Sequence, residues 1–138
     1  MKKILIAITL IIGAFTINAQ TTKPIENFDA NMPVLTFEEE VIDYGEIKKN
    51  ADGNRVFKFT NTGTTPLIIS KTKGSCGCTV PTYDKEPIMP GKSGEIRVKY
   101  ATNRVGRFSK TVTITSNASE PKKIVRIKGE VLNPEPAK

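Results

Sequence analysis

Short stretches of this chain alternate apolar and polar residues with a period of two, and dense turn chemistry separates them. Phe57 and Phe59 alternate with Val56, Lys58 and Thr60; Ile96, Val98 and Tyr100 with Glu95, Arg97 and Lys99. Val112 and Ile114 alternate with Thr111, Thr113 and Thr115, and Val125, Ile127 and Val131 with Arg126, Lys128 and Glu130. Leu35, Phe37 and Val41 fit the same rule, with Glu39 as the exception. Successive side chains of a strand point to opposite faces, so each stretch asks for one buried face and one wet face.

The segments between them are turn-formers: Asp52-Gly53-Asn54, Asn61-Thr62-Gly63, Pro90-Gly91-Lys92-Ser93-Gly94, and Ser116-Asn117-Ala118-Ser119 followed by Pro121. No stretch of helical length carries a persuasive helical period. The pattern predicts an all-β fold, an immunoglobulin-like antiparallel β-sandwich of about seven to eight strands, with a small barrel as the competing shape. The chain has no Trp and its two cysteines are too close in sequence to bridge two sheets. The core therefore rests on aliphatic residues and Phe, without the antibody-type disulfide.

The 138 residues leave room for one such domain. Before it, Lys2 and Lys3 precede an apolar run from Ile4 to Ile12 broken only by Thr9, and Thr16-Ile17-Asn18 leads to the small Ala19 before Gln20. That layout predicts a signal peptide over residues 1–19. A membrane-spanning helix wants about 20 apolar residues, and Gly13, Thr16 and Asn18 thin this run out. Residues 20–33 are polar, carry Pro24 and Pro33, and read as a flexible linker; 34–132 form the domain, and 133–138, with two prolines, a disordered tail. The expected product is periplasmic or secreted, with no transmembrane segment after cleavage.

The formal net charge of +7 falls to +5 once Lys2 and Lys3 are removed. The basic residues are dispersed in sequence and no Trp accompanies them, so nucleic acid is not an expected partner, while a general attraction to an anionic envelope surface is compatible with this charge.

The chemically pointed feature is Cys76-Gly77-Cys78, in a turn-rich stretch after the apolar residues Leu67 to Ile69. Two thiols at this spacing can close a local disulfide in an oxidising compartment, with Gly77 free to take the positive φ that brings the Cα atoms into range. An accessible strained bridge is readily reduced, which suits thiol redox exchange. Two thiolates can instead hold a soft ion such as Cu(I), with Met89 as a thioether ligand if its loop comes near. Zinc fits poorly, because the chain holds no His and no third Cys.

The absence of His also removes Ser-His and Cys-His nucleophile systems. Glu38-Glu39-Glu40 alternates faces in a strand and reads as a solvated edge. Asn117-Ala118-Ser119 matches a glycosylation acceptor yet is explained as a turn, and Arg104-Val105-Gly106-Arg107 reads as the brace of a hairpin. No enzyme activity and no cofactor are expected.

Asp43-Tyr44-Gly45-Glu46-Ile47, then Phe57 to Gly63, then Pro66-Leu67-Ile68-Ile69 resemble the Hydin-like and major-sperm-protein-like immunoglobulin superfamily. With Ser75-Cys76-Gly77-Cys78-Thr79, Ile88-Met89-Pro90-Gly91 and the stretch Arg104 to Phe108, the chain is similar to the exported bacterial domain-of-unknown-function family DUF1573 over about Val34 to Val131. The resemblance implies a sandwich of seven or eight strands and, by analogy with the wider superfamily, a protein-binding module whose partner is another envelope protein. It assigns no chemistry to Cys76 and Cys78. The expected function is thus a non-enzymatic interaction or envelope structural module, with a thiol-redox or copper-binding protein as the alternative.

Overall fold

The computed structural model describes residues 31–134. The expected signal peptide, most of the linker and the last residues of the tail lie outside that range. Eight strands are present: β1 (Leu35–Phe37), β2 (Val41–Lys48), β3 (Asn54–Asn61), β4 (Ile69–Gly74), β5 (Thr79–Tyr83), β6 (Ser93–Tyr100), β7 (Gly106–Ser116) and β8 (Lys122–Leu132). They form two four-stranded sheets, ordered β1-β3-β6-β5 and β2-β8-β7-β4.

The alternating residues do what their period asks. Phe57, Phe59, Ile96, Val98, Val112, Ile114, Val125, Ile127 and Val131 are buried between the sheets, and their polar alternates face outward. A tilted and edge-on cluster of Phe37, Phe57 and Phe59 fills one end of the core. Tyr44, Tyr100 and Phe108 fill the other, with Tyr100 stacked on Phe108 at 3.9 Å.

Two features depart from the expected antiparallel sandwich. The stretch from Leu35 to Val41 is not one strand: Glu38 to Glu40 carry the chain from the first sheet to the second, and Val41 emerges solvent-exposed. Backbone bonds fix both ends of the crossing, Glu38 N–H to the Lys58 carbonyl at 3.0 Å and Arg126 N–H to the Glu40 carbonyl at 2.8 Å. Because the chain changes sheets without reversing, β2 lies parallel to β8, the one parallel pairing among the described strands. Its register slips between Asp43 and Glu46, where Gly45 takes φ +61° and donates its N–H to Asp43 Oδ1.

The ordered domain also begins before Val34. Pro33 is buried, its carbonyl accepts from Ser119 N–H at 2.9 Å, and the Met32 carbonyl accepts from Thr64 N–H. Residues 31–33 thus belong to the packed body rather than to the linker.

Candidate functional site

The outer strands β1, β2, β4 and β5 decide what a sandwich of this kind can bind, since a strand edge presents unpaired N–H and C=O groups. On β5, the Cys78 carbonyl accepts from Ala101 N–H, so even-numbered residues bond to β6 and odd-numbered ones face outward. Pro81 therefore stands where an outward N–H would be, which is where a strand tolerates proline. The β4 edge beside it is partly closed by the Tyr83 hydroxyl, which donates to the Ser70 carbonyl at 2.8 Å. The bulge at Gly45 kinks the β2 edge.

The fourth corner is open. β1 is three residues long and covers only Phe59, Thr60 and Asn61 of the eight-residue β3. The N–H of Asn61 bonds to Lys92 and its carbonyl to Gly91, on the β6 side, while the Lys58 carbonyl and the Thr62 N–H bond on the β1 side. Even-numbered residues of β3 thus direct their backbone away from β6. Asn54 is capped locally, its N–H by Asp52 Oδ1 and its carbonyl by Arg55 Nη1. The N–H and C=O of Val56 have no partner among the described residues. A notch, a gap one residue wide, therefore continues the line of β1 beyond Glu38, beside the exposed Val56 side chain.

Both ends of β3 are tied down by polar side chains. Asn61 is fully buried, and its side chain makes four bonds: Oδ1 accepts from Val34 and Gly63 N–H, and Nδ2 donates to the Thr65 and Ile88 carbonyls. At the far end Tyr44 donates its hydroxyl to the Gly53 carbonyl at 2.8 Å, under the Arg55 guanidinium 4.2 Å from its ring centre. Burial pushes the Tyr44 hydroxyl up to about 12, with Arg55 opposing. Sequence reading took Asn61 only as a turn-former and did not single out Arg55; one polar residue at the end of an apolar alternation was the available signal for Asn61.

Cys76 and Cys78 are joined in a disulfide across the β4–β5 turn, with Cα atoms 5.2 Å apart. Cys76 is half-buried and Cys78 is buried at 7% exposure, both packed against the core, so the pair is less open than a free loop. Both sulfurs lie near the buried Thr79 hydroxyl, at 3.7 and 3.9 Å. Gly77 does not take the expected positive φ; it sits exposed, and a Cβ there would meet nothing within 4 Å. The turn closes instead through Thr79 N–H to the Cys76 carbonyl and Ser75 N–H to the Thr111 carbonyl.

Met89 does not reach the cysteines. It lies in the loop leading to Ser93, at the end of β6 that pairs with Thr60, whereas Thr79 pairs with Tyr100 at the other end. Seven strand steps separate these ends, about 23 Å. The three-ligand sulfur site is thus ruled out by topology. Among the described residues no three Cys, Asp or Glu side chains converge as metal ligands. Asn117, the sequon residue, is committed structurally: its Oδ1 accepts from Ile68 N–H and its Nδ2 donates to the Pro66 carbonyl.

Comparison with solved structures agrees on the fold. A protein of unknown function from Porphyromonas gingivalis W83 superposes with a TM-score of 0.64 at 18% identity, over 74% of this chain and 48% of that one. The PapD-like domain 7 of human CEP192 gives 0.60 at 8% identity, over 95% and 99% of the two chains. The CsuC–CsuE chaperone–tip adhesion subunit pre-assembly complex of Acinetobacter baumannii gives 0.53 at 10% identity, over 71% and 57%. At such identities the likeness is one of fold. No curated protein shows significant similarity to the chain. A match over residues 35–131, from β1 to the end of β8, shows that the chain belongs to the family described as "Protein of unknown function (DUF1573)".

Proposed function

We propose that this domain is an exported, non-enzymatic binding module that takes up an extended segment of another extracytoplasmic protein by strand addition along β3. The observation that carries the reading is the unpartnered backbone of Val56, in line with a β1 that stops short. Main-chain bonds supply affinity in this mode, and alternate side-chain contacts supply selectivity. The half-buried Phe37 and exposed Val56 offer apolar contacts at the notch, and the Asn61 and Tyr44 bonds anchor the two ends of β3. The chaperone–subunit complex among the fold relatives is in keeping with a role in binding protein, and the +5 charge expected after leader removal favours acidic envelope partners.

The test is Val56→Pro. Proline removes an N–H that faces away from β6, so the β3–β6 ladder loses no bond. Photo-crosslinking from position 58 in the exporting cell should trap a reproducible protein partner, and Val56→Pro should abolish it while the isolated domain still melts cooperatively. The same adduct formed undiminished by the folded proline variant overturns strand addition at this edge.

A further inference from the structure

The outer face of the second sheet gathers cations that are scattered in sequence. The registers place Lys71 opposite Thr115 and Thr115 opposite Lys122; Lys73 opposite Thr113 and Thr113 opposite Ile124; and Thr111 opposite Arg126. Directly paired residues share a face. Thr111, Thr113 and Thr115 therefore form a central row along β7, with Lys71 and Lys73 on one side and Lys122, the exposed Ile124 and Arg126 on the other. Adjacent strands lie about 4.8 Å apart, so the two cation rows stand about 10 Å apart over a hydroxyl row about 13 Å long.

Short threonines between long lysines and an arginine make a trough. Its floor is three hydroxyls with no side-chain hydrogen bond among the described residues, and Lys71, Lys73 and Lys122 carry no ion pair there. Among the described residues the Arg126 guanidinium bonds only to the Ser109 hydroxyl. The nearest acids are engaged elsewhere: Glu40 and Glu120 both hold Lys123, at 2.8 and 3.3 Å. Only beyond Arg126 is the face neutralised, by Lys128 with Asp43 and Arg107 with Glu130.

We infer that this trough binds a linear anionic glycan, laid along β7 with its acid groups against the two cation rows and its sugar hydroxyls on the threonines. Charge complementarity selects a polyanion. Two cation-bearing flanks on either side of a hydroxyl row match one extended polyanion better than the plane of a membrane. No aromatic side chain lies in the trough to stack a base, which disfavours single-stranded nucleic acid. An acidic peptide would satisfy the cations but would leave its own backbone unpaired on a sheet face. This surface lies on the sheet opposite the β3 notch, so the two proposals stand or fall separately.

The test uses the mature domain and polygalacturonate, with neutral dextran, polyglutamate and phosphatidylglycerol vesicles as comparators. Polygalacturonate should bind with an affinity that falls as salt rises. Lys71→Glu/Lys73→Glu/Lys122→Glu should weaken it about tenfold or more, whereas Lys85→Glu/Lys92→Glu/Lys99→Glu, of equal charge change, should weaken it less than about twofold. Thr113→Val, which leaves every charge in place, should weaken it about threefold through the lost hydroxyl contact. An equal loss in both triple variants overturns the trough in favour of net charge. Binding of polyglutamate or vesicles at least as tight as that of polygalacturonate overturns the glycan assignment.

Discussion

The Tyr44 hydroxyl donates to the Gly53 carbonyl at 2.8 Å, and the same carbonyl accepts the Tyr100 N–H at 3.0 Å. One side chain from β2 thereby pins the turn that launches β3. Tyr44→Phe removes the first bond but leaves the carbonyl one partner, so the expected loss is about 1 kcal/mol, measured by denaturant unfolding. The pH dependence has a definite sign. The unfolded hydroxyl ionises near 10 and the buried one near 12, so stability is complete below about pH 10 and is lost as pH rises through about 12. The checkable quantity is the difference between wild type and Tyr44→Phe, which should shrink across that window.

Asn61 is the more costly polar residue to lose. Asn61→Ala would strand the Val34 and Gly63 N–H groups and the Thr65 carbonyl, while the Ile88 carbonyl keeps its bond from Leu67 N–H. Several unsatisfied groups around a buried side chain, themselves partly buried, predict a loss of about 3 kcal/mol or more by thermal or urea melting. A loss below about 1 kcal/mol would mean that water replaces the side chain.

The disulfide should matter little for global stability. Loop closure over so few residues contributes about 1.6 kcal/mol in the chain-entropy account. Reduction should therefore leave a folded domain whose melting temperature drops by only several degrees. Unfolding on reduction would show that the bridge organises the β4–β5 corner; reversible exchange with glutathione at a folded domain would revive the redox alternative.

The two glycines flanking this corner should behave oppositely. A Cβ on Gly74 would run into the Thr79 backbone carbonyl, and so Gly74→Ala should destabilise by about 2 kcal/mol or more. Gly77 faces open space at negative φ, so Gly77→Ala should melt within about 0.5 kcal/mol of wild type.

Local patterning made most of the sandwich legible. Phe57 and Phe59, Ile96 and Val98, and Val112 and Ile114 are buried because a period of two leaves them no other face. What escaped depends on contacts distant in sequence. Nothing local to Val41 says that it pairs in parallel with Arg126, and Glu38 to Glu40 looked like strand because charged residues are common at both edges and crossings. Met89 is close to the cysteines in sequence but is carried to the opposite end of β6. The cations of the trough looked dispersed because β4 and β8 meet only through β7. The cysteine spacing allows a bridge, a soft-metal pair or inert thiols alike, and the partial burial of the bridge depends on Thr79 and on packing against the core that no local pattern records.

The most direct measurement is residue-resolved amide hydrogen exchange on the mature domain. Arg55 and Phe57 N–H groups bond into β6 and should be protected to the level of global unfolding, while the Val56 N–H between them should exchange orders of magnitude faster. That alternation, with Val56 becoming protected when the crosslinked partner is bound, is what strand addition at β3 predicts. Equal protection of Arg55, Val56 and Phe57 in the isolated domain would contradict it, because the edge would already be covered.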